Sequence, residues 1–392
     1  MRRVAIVGAG LAKFGMRNAT FRELVQEASK ATFDSCPDLD KKKVDSMFVG
    51  AAQPERFAYQ SYVAPLAAEM AGIEPWRVIA RTELACASGQ SAMRYAYACI
   101  ASGMSDIAFV LGAEKMYTKS MAETQTSMID VLDREFDGVM GGSAPPYFAM
   151  IAQRHMHEFG STREQMAAVR VKAGKFAATN PFAQFPKPVT KEEVLGAKVV
   201  APPFTLLDCS GITDGAAGVI MCAEEHAKKL SDSPTWIWGT GQCAMGHNLA
   251  NIPSFTEWVP LKRAAKEAWR TSRLSVKKMD FMEVHDCFTI SEMMIHEDLG
   301  LCKKGDGGKF AEDGESALGG KMPTNPRGGL LGTGHPLGAT GIAQAVEVHQ
   351  QFSAAIPKAR YIGGEHAMSH NLSGPANTHS IMVYGRMKPK AG

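Results

Sequence analysis

Two short segments 249 residues apart carry side chains that can do chemistry together. One is Ala85-Cys86-Ala87-Ser88-Gly89, the other Gly334-His335-Pro336-Leu337-Gly338, and each has a glycine three residues after its reactive side chain. A small-residue stretch with helical apolar spacing follows each. A cysteine at the start of a helix meets unpaired N–H groups and the positive end of the helix dipole, which favour a thiolate. An imidazole facing that sulfur would act as its base, so the pair predicts nucleophilic, covalent catalysis. His335 lies in a loop with five glycines from Gly328 to Gly338, poor surroundings for a packed core histidine. His285-Asp286-Cys287-Phe288 ends the apolar run Phe281–Val284, and ligand chemistry in open α/β sheets gathers beyond the carboxyl ends of strands. His285 could equally tie down a loop and Cys287 fill a core gap. His370-Asn371-Leu372-Ser373-Gly374 reads as a polar loop between the last two strands.

Positioning Cys86 against His335 requires two copies of one βαβ unit, and the sequence contains the trace of such a duplication. Val4–Gly10 resembles Trp236–Gly241, an apolar strand ending in Gly-x-Gly. Val44–Gly50 lies over Met279–His285, each after a lysine run. Ile107–Glu114 aligns with Arg360–Glu365, and Val219–Met221 with Ile381–Val383. With the two reactive segments these make five matches in one order. The block from about 117 to 203 has no counterpart; it holds Met-rich and Gln-rich helices, Gly141-Gly142-Ser143-Ala144-Pro145-Pro146 and Asn180-Pro181-Phe182-Ala183-Gln184-Phe185-Pro186. An insertion of that length is a candidate lid over the shared site.

The 392-residue chain suits two packed α/β halves plus that insertion, and its short apolar runs predict mostly parallel sheets covered by helices. A balance of 43 basic against 40 acidic residues, with no basic run interleaved with aromatics, argues against nucleic acid. No apolar stretch reaches membrane-spanning length and no signal peptide is visible at the start. Eight irregularly spaced cysteines fit reduced thiols, so a cytoplasmic protein is expected. Gly8-Ala9-Gly10 begins like a dinucleotide fingerprint, but Lys13 stands where the third glycine belongs, which argues against a nicotinamide site. No metal is expected: Cys-x-x-Cys is absent, and His155 and His157 fall on different faces of a helix. His226, His296 and His349 sit among charges and are read as solvated.

Cys86 in Cys-Ala-Ser-Gly, the His285-Asp286-Cys287-Phe288 tetrad, Asn325-Pro326-Arg327-Gly328-Gly329 and Gly334–Gly341 together resemble a thiolase. The tetrad matches the sterol-carrier-protein-like and archaeal branch rather than the branch carrying Asn-Glu-Ala-Phe, and the resemblance runs from Val4 to Tyr384. It implies a five-layered α-β-α-β-α fold made of two similar halves, 1–228 and 229–392, with a loop domain at about 117–203 inserted in the first. It also implies a homodimer or tetramer. Cys86 would be the acylated nucleophile, activated by His335, and Cys287 the acid/base at the substrate α-carbon. His285 would hold a water of one oxyanion hole, and the backbone N–H groups of Cys86 with Ser373 or Gly374 would form the other.

The implied reaction is CoA-dependent cleavage of a 3-oxoacyl-CoA, here a bulky or aromatic one. Alternatives are acetoacetyl-CoA formation from two acetyl-CoA, retro-aldol cleavage of a β-hydroxyacyl-CoA, and a non-catalytic acyl-CoA-binding scaffold. Coenzyme A would be a substrate bound near the insertion, with no permanently bound cofactor, and a small zinc-ribbon/OB-fold partner protein would help hold it. Met116, Met121, Met128, Met140 and Met150 are candidates to line an adaptable acyl pocket. One departure from the family stands out: Asn371-Leu372-Ser373-Gly374-Pro375 replaces a Cys-x-Gly or Asn-x-Gly followed by further glycines. Ser373 would then add a side chain near the second oxyanion hole.

Overall fold

In the computed structural model, which describes residues 1–118 and 120–390, the duplication is written into the hydrogen bonding. The first half supplies β1 (Val4–Leu11), β2 (Ser46–Gly50), β3 (Val78–Thr82) and β4 (Ile107–Glu114), then the hairpin β5 (Val199–Ala201) and β6 (Phe204–Thr205), and finally β7 (Gly215–Ala223). The second half supplies β8 (Thr235–Ala244), β9 (Phe281–Glu283), β10 (His366–Ser373) and β11 (Thr378–Gly385). Apart from the hairpin, the strands join in the order β3-β2-β4-β7-β1-β8-β11-β10-β9. Read outward from the β1–β8 seam, β1, β7, β4, β2 and β3 are mirrored by β8, β11, β10, β9 and a lone parallel bridge from Met282 to Thr324.

Helices complete five layers. Phe21–Asp34 and Val63–Ala71 cover the outer face of the first half, and Val259–Ser272 with Thr289–Asp298 the outer face of the second. The middle layer is the pair Ser88–Ser102 and Thr340–Phe352, packed on each other and on strands of both halves. Phe21–Asp34 starts where it does because Thr20 and Glu23 form a capping box, and its Leu24, Val25 and Ala28 are fully buried. Burying Leu24 and Val25 contributes about 1.5–3 kcal/mol each. The two middle helices start at the reactive segments, whose glycines let their backbones touch. A Cβ on Gly89 would lie 2.4 Å from the Gly338 carbonyl oxygen, and one on Gly338 2.4 Å from that of Gly50.

Three expectations from the sequence are corrected. Five of the eight strand pairs are antiparallel, so the sheets are mixed rather than mostly parallel. The reason is topological: the insertion leaves from the end of β4 and returns on the same side, so β7 must run back against β4. In the second half a tight turn at Gly374–Asn377 does the same between β10 and β11. Second, the counterpart of β4 is not Arg360–Glu365, which holds a short 3₁₀ turn and loop; it is His366–Ser373. His370 to Ser373 therefore belong to a buried strand and not to a loop. Third, His296 and His349 are buried, hydrogen-bonded to Thr324 and Thr235 respectively.

Candidate active site

The nucleophile turn is a 3₁₀ turn at Ala85–Ala87 leading straight into the Ser88–Ser102 helix, with Ala85 at φ +42°. A non-glycine residue there is strained and persists only where its neighbours hold it. Ser88 Oγ donates to the Ala85 carbonyl and accepts from the Leu84 N–H. Ser373 reaches across from β10: its hydroxyl accepts from the Ala87 N–H at 3.0 Å and donates to the Leu84 carbonyl. The side chain expected to intrude on an oxyanion hole instead clamps the turn that carries Cys86.

His335 is held with equal definition. Its N–H donates to Thr213 Oγ1 at 2.8 Å, and Thr213 donates in turn to Gln184, a residue of the Asn180–Pro186 segment. Gln184 and Phe185 also donate backbone N–H groups to Thr333 and Gly332, so the insertion pairs directly with the glycine-rich loop. Thr340 Oγ1 donates to the Pro336 carbonyl, which leaves it to accept from His335 Nδ1 at 2.6 Å. The proton is thereby fixed on Nδ1, and Nε2, buried and without a partner among the described residues, presents a lone pair.

The ligand atoms of Cys86, His285 and His335 all lie within 4.8 Å of one another, and the two imidazoles meet edge to face at 4.8 Å between centroids. Both His285 nitrogens are buried and unpartnered among the described residues. Cys287 is buried, its sulfur 3.8 Å from Ser291 Oγ. Burial, and then the nearby Cys86 sulfur, pushes its thiol well above the ordinary range. The structure thus brings together all four side chains singled out as catalytic candidates. Gly374, at φ +56°, follows Ser373 at the end of β10 beside the nucleophile turn.

Burial also overrules the helix dipole at Cys86. Its thiol is pushed up to about 12, first by burial and further by the carboxylates of Glu114 and Glu83. His335 is lowered to about 3 by burial and by the Arg327 guanidinium. The resting pair is a thiol beside a neutral imidazole rather than the expected thiolate, so proton transfer must accompany attack on an electrophile.

Behind this pair lie residues the sequence did not single out. Glu114, at the end of β4, accepts from the N–H groups of Ala52 and Gln53 and from that of Gly338, so one carboxylate ties the two halves together at the site. The only signal for it was an acid closing an otherwise apolar run. Lys172 pairs with Glu292, which accepts from Asn325; Asn325 Oδ1 accepts from the Val284 N–H and fixes the entry to His285. Asp286 accepts from the Leu330 N–H at 2.7 Å, and burial raises its carboxyl to about 7. Lys172 lies in a helix of unremarkable pattern, and nothing in the sequence marked it.

The thiol of Cys86 packs against an apolar cluster of Ala52, Phe57, Met116 and Leu337, with Met128 and Ile212 at its edge. Met140 and Met150 border a separate groove of about 430 Å³ with Leu132, Phe136, Tyr147 and Leu249. The side chain of Met121 lies outside the described residues. A third space of about 350 Å³, lined by Glu83, Leu84, Ala85, His247, Ser373 and Gly374, opens beside the nucleophile turn.

Residues 4–225 match the family model described as thiolase, N-terminal domain, and residues 241–386 the one described as thiolase C-terminal domain-like. The chain is 38% identical over 387 residues to an acetyl-CoA acetyltransferase of Methanothermobacter thermautotrophicus, covering 98% of this chain and all of that one. It is 35% identical to the benzoylsuccinyl-CoA thiolase subunit BbsB of Thauera aromatica, covering 91% and 90%. A solved Ltp2-ChsH2(DUF35) aldolase superposes with a TM-score of 0.84 at 23% identity, covering 98% of each chain, a likeness that shows the fold alone.

Proposed function

This chain belongs to the thiolase family, and from that premise we propose that it cleaves a 3-oxoacyl-CoA with a bulky or aromatic acyl portion, using CoA and a Cys86 acyl-enzyme. The observation that carries the reading is the convergence of Cys86, His285 and His335 within 4.8 Å, with the His335 tautomer fixed so that Nε2 can accept a proton.

As the Cys86 sulfur attacks the ketone carbon, its proton passes to His335 Nε2. Collapse of the adduct leaves the acyl group on sulfur and releases an acyl-CoA enolate, to whose carbon Cys287 supplies a proton. Oxygen charge developing on the way is met by a water held by the unpartnered His285 and by the backbone N–H groups of Cys86 and Gly374. The thiol of a second CoA then attacks the acyl-enzyme, giving its proton to the Cys287 thiolate, and Cys86 leaves as it regains the proton held on His335. The apolar cluster of Phe57, Met116, Met128, Ile212 and Leu337 around the sulfur supports an acyl group of some size.

A second reading, acetoacetyl-CoA formation, is favoured by the 38–39% identity to two archaeal proteins named acetyl-CoA acetyltransferase. Retro-aldol cleavage is the third. Steady-state rates with acetoacetyl-CoA, an aromatic 3-oxoacyl-CoA and a β-hydroxyacyl-CoA, with and without CoA, for the parent chain and Cys86→Ala, separate them. Faster CoA-dependent turnover of the aromatic substrate is expected. A preference for acetoacetyl-CoA would favour the second reading, and CoA-independent cleavage of a β-hydroxyacyl-CoA that survives Cys86→Ala the third.

For partners, the exposed edge strand β3 carries Ile79, with Trp76, Tyr59, Tyr62 and Tyr95 also exposed, an apolar surface suited to a second copy of this chain. One similar protein, BbsB, is named as a subunit, which supports a partner protein for this chain. All eight cysteines are free, which agrees with a reducing compartment such as the cytoplasm. No helix among the described residues is long and apolar enough to cross a membrane.

A further inference from the structure

The same three side chains have a second capacity. Zn²⁺ binds thiolate sulfur at about 2.3 Å and imidazole nitrogen at about 2.0–2.1 Å, and sites with three protein ligands leave a fourth position open. Cys, His, His is a donor set that selects a borderline-soft divalent ion over Mg²⁺ or Ca²⁺. Here the three donors lie within 4.8 Å of one another. In a tetrahedral site, donors stand roughly 3.4 Å apart at those bond lengths, so the longest donor separation must shorten by up to about 1.4 Å.

The freedom to contract is visible. His335 is fixed by Thr340 and Thr213, but no hydrogen bond among the described residues restrains the His285 ring, although it is fully buried. With neither ring nitrogen bonded to a protein group among the described residues, His285 can offer one of them to a cation without breaking a protein hydrogen bond. Cys86 is only half-buried, and a space of about 350 Å³ walled in part by Glu83 and Ala85 lies beside its turn.

We infer that Cys86, His285 and His335 form a three-ligand site for a borderline-soft divalent cation, represented by Zn²⁺, and that its occupation reversibly silences the nucleophile. Binding forms one metal–sulfur bond and breaks the Cys86 S–H bond, releasing that proton to solvent. The metal-bound thiolate is then no longer available to an acyl group or an alkylating agent.

The test uses the full chain without any acyl-CoA, so it reads independently of the proposed substrate. Zn²⁺ is titrated by calorimetry, Co²⁺ by absorption spectroscopy, and iodoacetamide labelling of Cys86 is followed with and without Zn²⁺. One Zn²⁺ per chain is expected, with a thiolate-to-cobalt charge-transfer band for Co²⁺ and protection of Cys86 that a chelator reverses. Cys86→Ala and, with little change in volume, His285→Asn should each weaken Zn²⁺ binding by about 100-fold or more, beyond the range typical of supporting residues. Unchanged affinity in both variants, a cobalt spectrum without the sulfur band, or full labelling at saturating Zn²⁺ would overturn the inference.

Discussion

The two reactive turns occupy equivalent places in the two halves, yet they are held by opposite means. From Pro323 to Val348 every residue around His335 is buried, and its loop is fastened by Thr213, Gln184, Glu114 and Thr340. The Cys86 turn is half-open, strained at Ala85 and secured by two hydroxyls, those of Ser88 and Ser373. Duplication supplied one frame, and the chemistry divided it. In the proposed mechanism the base must keep one tautomer and one position, which burial enforces, whereas the nucleophile must admit and release an acyl group, which full burial would prevent.

Four substitutions probe that contrast. His335→Ala should lower kcat/KM by about 10²- to 10⁴-fold, the usual worth of a positioned general base; a loss below tenfold would mean that another group takes the Cys86 proton. Glu114→Ala removes the carboxylate that joins the halves and strands three backbone N–H groups. It should cost about 3 kcal/mol in urea unfolding. Ser373→Ala releases only the open turn and should lower kcat about tenfold with KM nearly unchanged, while unfolding stability drops by about 1 kcal/mol. An unaltered kcat would show that the strain at Ala85 needs no clamp.

The last prediction concerns pH. Burial lowers His349 to about 4, so on acidification the unfolded chain takes up a proton near pH 6.5 before the folded chain does. The folded state therefore loses stability as pH falls from about 6.5 to 4. His349→Gln should remove that part of the slope, at most about 3 kcal/mol across the window, as measured by urea unfolding at stepped pH. A parallel pH dependence of variant and parent would count against it.

Much of this was legible from residue types. Cys86, His285, Cys287 and His335 each sit at the end of an apolar run or in a glycine-rich loop, and the structure gathers all four. Apart from the strand directions and the protonation of Cys86, what failed did so for one physical reason: polar residues were read as solvated. His370, Asn371 and Ser373 are polar, yet they form a buried strand because His370 donates to His379, Asn371 to Gln344, and Ser373 to the Leu84 carbonyl. His296 and His349 misled in the same way. Hydrogen-bond partners 9 to 289 residues away in the chain cannot be seen from a local window, and without them a polar run resembles a turn. The same blindness hid Glu114, whose partners are Ala52, Gln53 and Gly338, and Lys172, whose partner Glu292 lies in the other half.

The central claim is that Cys86 carries an acyl group with His335 as its base, and mass spectrometry of the intact protein reads it most directly. The chain and its Cys86→Ala variant would be exposed briefly to acetyl-, acetoacetyl- and benzoyl-CoA, quenched in acid and digested to locate any adduct. The account predicts one acyl group per chain, on the peptide bearing Cys86, absent from the variant and discharged by free CoA. An adduct on Cys287 instead, or substrate turnover in the variant at the rate of the parent, would contradict it.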